Sequence, residues 1–299
     1  MAIVKTNGIE LAWESFGEPG DEVILLIAGF GTQMIRWTAS FCEALAAFGY
    51  RVIRFDNRDA GCSTHLDACP PPDFAALAAD LQAGRQPEVP YTLHDMAADA
   101  IGLLDALAID KAHVVGRSMG GMIAQIMAAE HGARVLSLTS IMSSTGNPML
   151  PPAAPDVMAM MLEPMPNPVS EPEGFLARSC AFACRIAGTR YPFDEEAHRA
   201  LVSEEVRRAY DPAGAARQIA AVGTAGDRRA RLSHVTVPTL VIHGSDDPLF
   251  LSECGEDTAA SIPQAELLLI EGMGHDLPKS LWPRVTGEIH SVARRVAPA

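Results

Sequence analysis

The stretch Ala112–Ala128, "AHVVGRSMGGMIAQIMA", decides how the rest of the chain is read. An apolar run ends in Gly116-Arg117-Ser118-Met119-Gly120, and an amphipathic run begins immediately after it. The first run reads as a buried strand and the second, Ser118 to His131, as a long helix. A strand that turns straight into a helix strains the middle residue of the corner and leaves no room for neighbouring Cβ atoms. Gly-x-Ser-x-Gly meets both demands and projects the Ser118 hydroxyl into the cleft beyond the strand's carboxyl end. The new helix also aims its first N–H groups, chiefly that of Met119, at any oxyanion formed there.

Outward from this corner, strands alternate with helices. "IVKTNGIELAWESFG" predicts a hairpin turning at Asn7-Gly8. "VILLIAG", Val23 to Gly29, is apolar throughout, as in a strand covered on both faces. A helix around Ile35 to Phe48, the strand "YRVIRFD", and a helix opened by Thr92 with Asp95 as its capping partner complete the first half. The rhythm implies a mostly parallel, doubly wound α/β sheet. It breaks at Ser143 and returns with "VPTLVIHG", a helix near Glu253 to Ser261, "AELLLIEG" and a last helix from about Leu281. Residues 1–143 and 232–299 are therefore expected to form one core, and residues 144–231 a helical cap inserted into it.

A serine hydroxyl is a weak nucleophile until a base takes its proton. The chain has nine histidines. In a sheet of this kind the order is serine, acid, histidine, with the acid on a loop after a later strand. The loop after the strand that follows the serine helix, "IMSSTGN", holds no carboxylate; the next, after "TLVIHG", reads "SDDP". Beyond it only His275 and His290 remain, and His290 falls inside the final helix. The reading assigns the base to His275 and the orienting acid to Asp247, with Asp246 in reserve. A second oxyanion donor is expected from the loop "AGFGTQMIRW". There Gly29 and Gly31 let the backbone approach the substrate and Phe30 supplies the N–H.

The 299 residues are 48% hydrophobic and 20% charged, ordinary for a folded chain. With 37 acidic against 23 basic residues the net charge is −14, which disfavours nucleic acid and anionic membranes as partners. No apolar run approaches the ~20 residues of a bilayer span, and the amino-terminal stretch does not read as a signal peptide. The six cysteines are scattered without Cys-x-x-Cys spacing, so free thiols and a cytoplasmic location are expected. No His-x-x-x-His or dinucleotide fingerprint occurs, and neither a metal nor a cofactor is expected.

Together these residues resemble the α/β-hydrolase superfamily over nearly the whole chain. More narrowly, "RFDNRDAGCST", "HVVGRSMGGMIAQ", "VPTLVIHGSDDP" and "GMGHDLP" resemble the aclacinomycin methylesterase group of carboxylesterases. The resemblance implies cofactor-free hydrolysis of a small-molecule ester through an acyl-enzyme, with Ser118, His275, Asp247, Phe30 and Met119 in the roles just given. The same elbow resembles 3-oxoadipate enol-lactonases and hydrolases that cut carbon–carbon bonds of aromatic ring-fission products. A non-catalytic binding protein of this fold is the remaining alternative.

Asp56, Arg58 and Asp59 are expected to be structural, shaping the loop beside the oxyanion site. Arg117 puts a charge next to the nucleophile. It either pairs with a nearby acid or steers an anionic substrate group, the structural role being preferred. Methionines crowd the front of the insert (Met149, Met158, Met160, Met161 and Met165), while Met34 and Trp37 follow the oxyanion loop. This predicts a pocket walled by Gly29, Met34, Trp37, Met149 and Met158, favouring uncharged apolar esters of short to medium acyl length or methyl esters of bulky rings.

Overall fold

A computed structural model describes residues 1–296. Its centre is an eight-stranded sheet in the order β1-β2-β4-β3-β5-β6-β7-β8. The strands are β1 (Ala2–Thr6), β2 (Ile9–Phe16), β3 (Glu22–Ile27), β4 (Tyr50–Phe55), β5 (Ala112–Arg117), β6 (Val135–Ile141), β7 (Thr239–Gly244) and β8 (Glu266–Ile270). The helices are α1 (Ala39–Ala46), α2 (Phe74–Gln82), α3 (Leu93–Ala106), α4 (Met119–Glu130), α5 (Pro155–Leu162), α6 (Pro172–Ile186), α7 (Glu195–Arg208), α8 (Pro212–Gly223), α9 (Arg229–Leu232), α10 (Ser252–Ser261) and α11 (Trp282–Ala293).

Only the pairings of β2 with β1 and β4 are antiparallel; β4, β3, β5, β6, β7 and β8 pair in parallel. The β1–β2 turn is tight because Asn7 (φ 46°) and Gly8 (φ 79°) both accept left-handed backbone. The uninterrupted apolar run of β3 follows from two covered faces. Val23, Leu25 and Ile27 pack into a core with α3 and α4, while Ile24 and Leu26 pack into the opposite core with α1 and α11. Thr92 and Asp95 close a reciprocal capping box at the start of α3.

All the parallel strands deliver their carboxyl ends to one edge. The loops after β3, β5, β7 and β8 meet there, and α5 to α8 of the insert between β6 and β7 lie against them. Among the described residues no helix is long and apolar enough to cross a membrane.

Candidate active site

The corner at Ser118 has the backbone its sequence implies. Ser118 sits at φ 54°, ψ −123°, between β5 and α4, and its N–H donates to Ile141 O at 2.9 Å. Such a conformation is costly for a residue with a Cβ and persists only where the surroundings fix it. The glycines are those surroundings. A Cβ on Gly116 would lie 2.0 Å from Gly120 O, one on Gly120 would lie 2.2 Å from Ile27 O, and one on Gly121 would lie 2.6 Å from Ser143 Cβ. Gly116 and Gly120 are needed because β5, α4 and the end of β3 touch backbone to backbone, and Gly121 because α4 meets the side chains of Ser140 and Ser143.

The loops after β7 and β8 bring two more groups to the serine. His275 Nε2 lies 3.0 Å from Ser118 Oγ, and His275 Nδ1 lies 2.7 Å from Asp247 Oδ2. The other carboxylate oxygen of Asp247 accepts the N–H groups of Leu249 and Phe250, both at 2.9 Å. Asp246 faces away. Its carboxylate takes hydrogen bonds from Ser245 Oγ and Thr189 Oγ1, which hold its pKa below the usual carboxylate range. His243, buried in β7, donates from Nε2 to Phe250 O at 2.7 Å. Burial pushes its pKa down, so it stays neutral beside Asp247.

The loop after β3 passes close to the serine: a Cβ on Gly29 would lie 3.3 Å from Ser118 Cβ. The N–H of Phe30 and that of Met119, the first residue of α4, have no acceptor among the described residues. Next to them Ser118 N–H is taken by Ile141 O, Gly31 N–H donates to Gln218 Oε1 of α8 at 2.8 Å, and Gln218 Nε2 donates to Arg58 O at 2.8 Å. Thr32 Oγ1 closes the turn on Gly29 O at 2.9 Å. Nothing in the local sequence marked Gln218, which lies far along the chain in the insert.

Ser118 and His275 open into a cavity of about 210 Å³. Gly29 and Phe30 line it from the core. The rest of the wall corrects the expectation of a methionine-lined apolar pocket. Met34 and Trp37 are wholly buried in the core beneath the loop, and Met34 N–H is tied to Asp56 Oδ1 at 2.6 Å. Met149 and Met158 turn to solvent, 84% and 42% exposed, because they sit on the outer side of the insert's front. The roof comes instead from α6 and α7 and their connection, with Phe182, Ile186, Phe193 and His198. Met161 and Met165 line a separate outer cavity of about 690 Å³ that shares Phe30 and Phe182 with the inner one.

The inner wall is charged. Arg36, Arg117 and Asp276 line it together with Ser179 and His198. Arg36 is closed off by Glu205, with Nε to Oε1 at 2.8 Å and Nη2 to Oε2 at 2.6 Å. Burial, with Arg36 nearby, pushes the His198 imidazole down to about 4, and its Nε2 pairs with Ser179 Oγ at 3.0 Å. The charged residues after β4 tie down the loop after β3 and the insert. Asp56 pairs with Arg208 at 2.8 Å, Asp59 with Arg217 in a two-point contact at 2.8 Å, and Arg58 with Asp99 at 2.6 and 2.7 Å. Asp59, Asp211 and His65 present ligand atoms within 4.8 Å of one another. Arg217 already occupies both acids, which opposes a cation there.

Comparison with known proteins agrees with this architecture. A family model described as the alpha/beta hydrolase fold matches residues 22–176. Rhodomycin D methylesterase DauP of Streptomyces sp. (strain C5) is 30% identical, covering 92% of each chain. Rhodomycin D methylesterase DnrP of Streptomyces peucetius is 31% identical, covering 91% of each chain. The crystal structure of the enol-lactonase from Burkholderia xenovorans LB400 superposes with a TM-score of 0.70 at 24% identity over 98% of both chains. The chain belongs to the α/β-hydrolase fold family.

Proposed function

We propose that this protein is a serine ester hydrolase working through Ser118, His275 and Asp247, with the Phe30 and Met119 N–H groups as its oxyanion site and the insert as a cap. The observation that carries the reading is the unbroken relay at 2.7 and 3.0 Å from Asp247 through His275 to Ser118. The two N–H groups left without acceptors beside it belong to the same reading. The rhodomycin D methylesterases, alike over nine-tenths of the chain, support an ester as the substrate.

The chemistry follows from the geometry. Ser118 Oγ attacks the ester carbonyl carbon as its proton passes to His275 Nε2. Asp247, bonded to Nδ1, orients the ring and stabilises its positive charge. The carbonyl oxygen, now negative, is held by the Phe30 and Met119 N–H groups. Collapse of the tetrahedral species expels the alcohol, which takes the proton back from His275. A water then repeats the sequence on the acyl-enzyme, releasing the acid and restoring Ser118. The inner cavity favours a small group on one side of the scissile bond.

A fluorophosphonate probe tests the assignment. It should label Ser118 stoichiometrically in the native protein, and Ser118→Ala should lose labelling and drop kcat on an activated ester by ~10⁴-fold while staying folded. Near-native turnover in that variant overturns the reading.

A further inference from the structure

We propose that Arg117 receives a carboxylate carried by the substrate, so that the preferred esters are small and bear an acidic group a few bonds from the scissile carbonyl. This rests on the ester-hydrolase reading above. Arg117 is the last residue of β5, immediately before Ser118, and lines the same 210 Å³ cavity as Ser118 and His275.

What sets Arg117 apart is the absence of a partner. Arg36, Arg58, Arg208 and Arg217 each meet a carboxylate within 2.8 Å. Among the described residues Arg117 has no ion pair and no side-chain hydrogen bond; its guanidinium carbon lies 5.9 Å from the centre of the Trp37 ring. Nor are its nitrogens sealed away, as Arg178 Nε is, for none of them is among the buried atoms lacking a partner. The N–H fork thus remains open to the cavity. A guanidinium removed from bulk water without a counter-charge is unfavourable. Its planar array of donors matches the two oxygens of a carboxylate.

The surrounding charges decide how strongly an anion is drawn in. Arg36 and Glu205 cancel each other in their two-point contact. His198 is neutral, its pKa pushed down to about 4. Asp276, directly after His275, is the one acid on this wall outside an ion pair; it attracts Arg117 from beyond ion-pair distance. A bound carboxylate is therefore held by Arg117 and opposed by Asp276, which predicts opposite effects of neutralising the two.

The test compares esters that differ only in charge. Monomethyl glutarate against its primary amide places the acid in the acyl part; acetylated glycolate against its amide places it in the alcohol. Acid release is followed by pH-stat. In at least one pair kcat/KM for the acid should exceed that for the amide by about tenfold or more. Arg117→Gln should bring the ratio to one or below, Arg117→Lys should restore part of it, and Asp276→Asn should raise it. Glutarate should also inhibit the native protein more strongly than its monoamide, a readout that needs no variant. A ratio near one in both pairs, or a raised ratio that survives Arg117→Gln, overturns the proposal even while Ser118-dependent hydrolysis of neutral esters persists. Wild-type turnover by Ser118→Ala overturns the underlying reading instead.

Discussion

Gln218→Leu separates the stability of the insert from its influence on the proposed reaction. Gln218 is fully buried on α8, with its Oε1 taking the Gly31 N–H and its Nε2 donating to Arg58 O, both at 2.8 Å. Leucine is close in volume, so the substitution opens little cavity. It does leave the Arg58 carbonyl unpaired in the interior, and it frees the Gly31 N–H of an exposed residue from its anchor. A buried unpaired group costs about 1–3 kcal/mol, which lowers Tm by about 2–5 °C for a domain of this size. The kinetic effect comes through position. Gly31 follows Phe30, whose free N–H is the proposed oxyanion donor, and losing one such donor outright costs ~10²–10³ in kcat. A loop loosened but not removed should lose about ten- to a hundredfold in kcat, with KM changed far less. The assay is steady-state hydrolysis of p-nitrophenyl acetate well below the variant's Tm, with folding checked by circular dichroism. A kcat within about twofold of native, despite the fall in Tm, refutes the argument. It would mean that the Thr32–Gly29 turn and the anchoring of Gln33 on Glu205 O and Ala209 O suffice to fix the loop.

Asp247→Asn should lower kcat by several orders of magnitude through a misoriented imidazole, while Asp246→Asn, remote from His275, should cost less than about tenfold; reversed penalties in steady-state kinetics would move the acid by one residue. Gly120→Ala should fail to fold or lose more than about 10 °C in Tm, because the Cβ would lie 2.2 Å from Ile27 O, although helix propensity alone favours alanine by about 1 kcal/mol. A native-like melting curve would show that β3 and α4 can separate. His198 has its folded pKa depressed from 6.5 to about 4, so between those values the unfolded chain takes up a proton that the folded protein refuses. Stability should therefore fall as pH drops through this window. His198→Asn should lose less than the native protein between pH 7 and pH 4.5, as read from urea midpoints; equal losses would refute a neutral, half-buried His198.

The parts legible in the sequence are those where one physical demand fixes a local pattern. β3 is apolar from Val23 to Ile27 because both faces are covered, and Asn7-Gly8, Thr92 with Asp95, and Gly116 to Gly121 answer demands that act within a few residues. Helix α2 escaped because it stands apart from the core: none of its residues is buried, although Phe74, Leu77, Ala78 and Leu81 recur at helical spacing. The pocket escaped for a different reason. Composition places methionines at the front of the insert but does not say which way each side chain faces, and Met149, in the turn before α5, and Met158, on α5, are exposed. The residues that do form the wall meet across long separations: Arg36 and Glu205 are 169 residues apart, and Ser118 and His198 face each other only once α7 packs over the loop after β3.

Those long-range contacts alter what the insert is for. Each of the three loops that build the site is bonded to it through backbone. On the loop after β3 the bond is Gly31 N–H to Gln218; on the loop after β7 it is Ala154 N–H to Pro248 O at 2.8 Å. On the histidine loop, Gly274 and His275 N–H groups donate to Ala187 O and Ile186 O at 3.0 and 2.6 Å, and a Cβ on Gly274 would strike Ile186 O at 2.1 Å. A cover that only excluded solvent would not need main-chain bonds to every loop it covers. Bonds of this kind register the loops against one another, and a shift of an ångström in that register is enough to spoil a relay of 2.7 and 3.0 Å hydrogen bonds. Substitutions in the insert should therefore appear first in kcat, as misaligned chemistry, and only afterwards in the choice of ester.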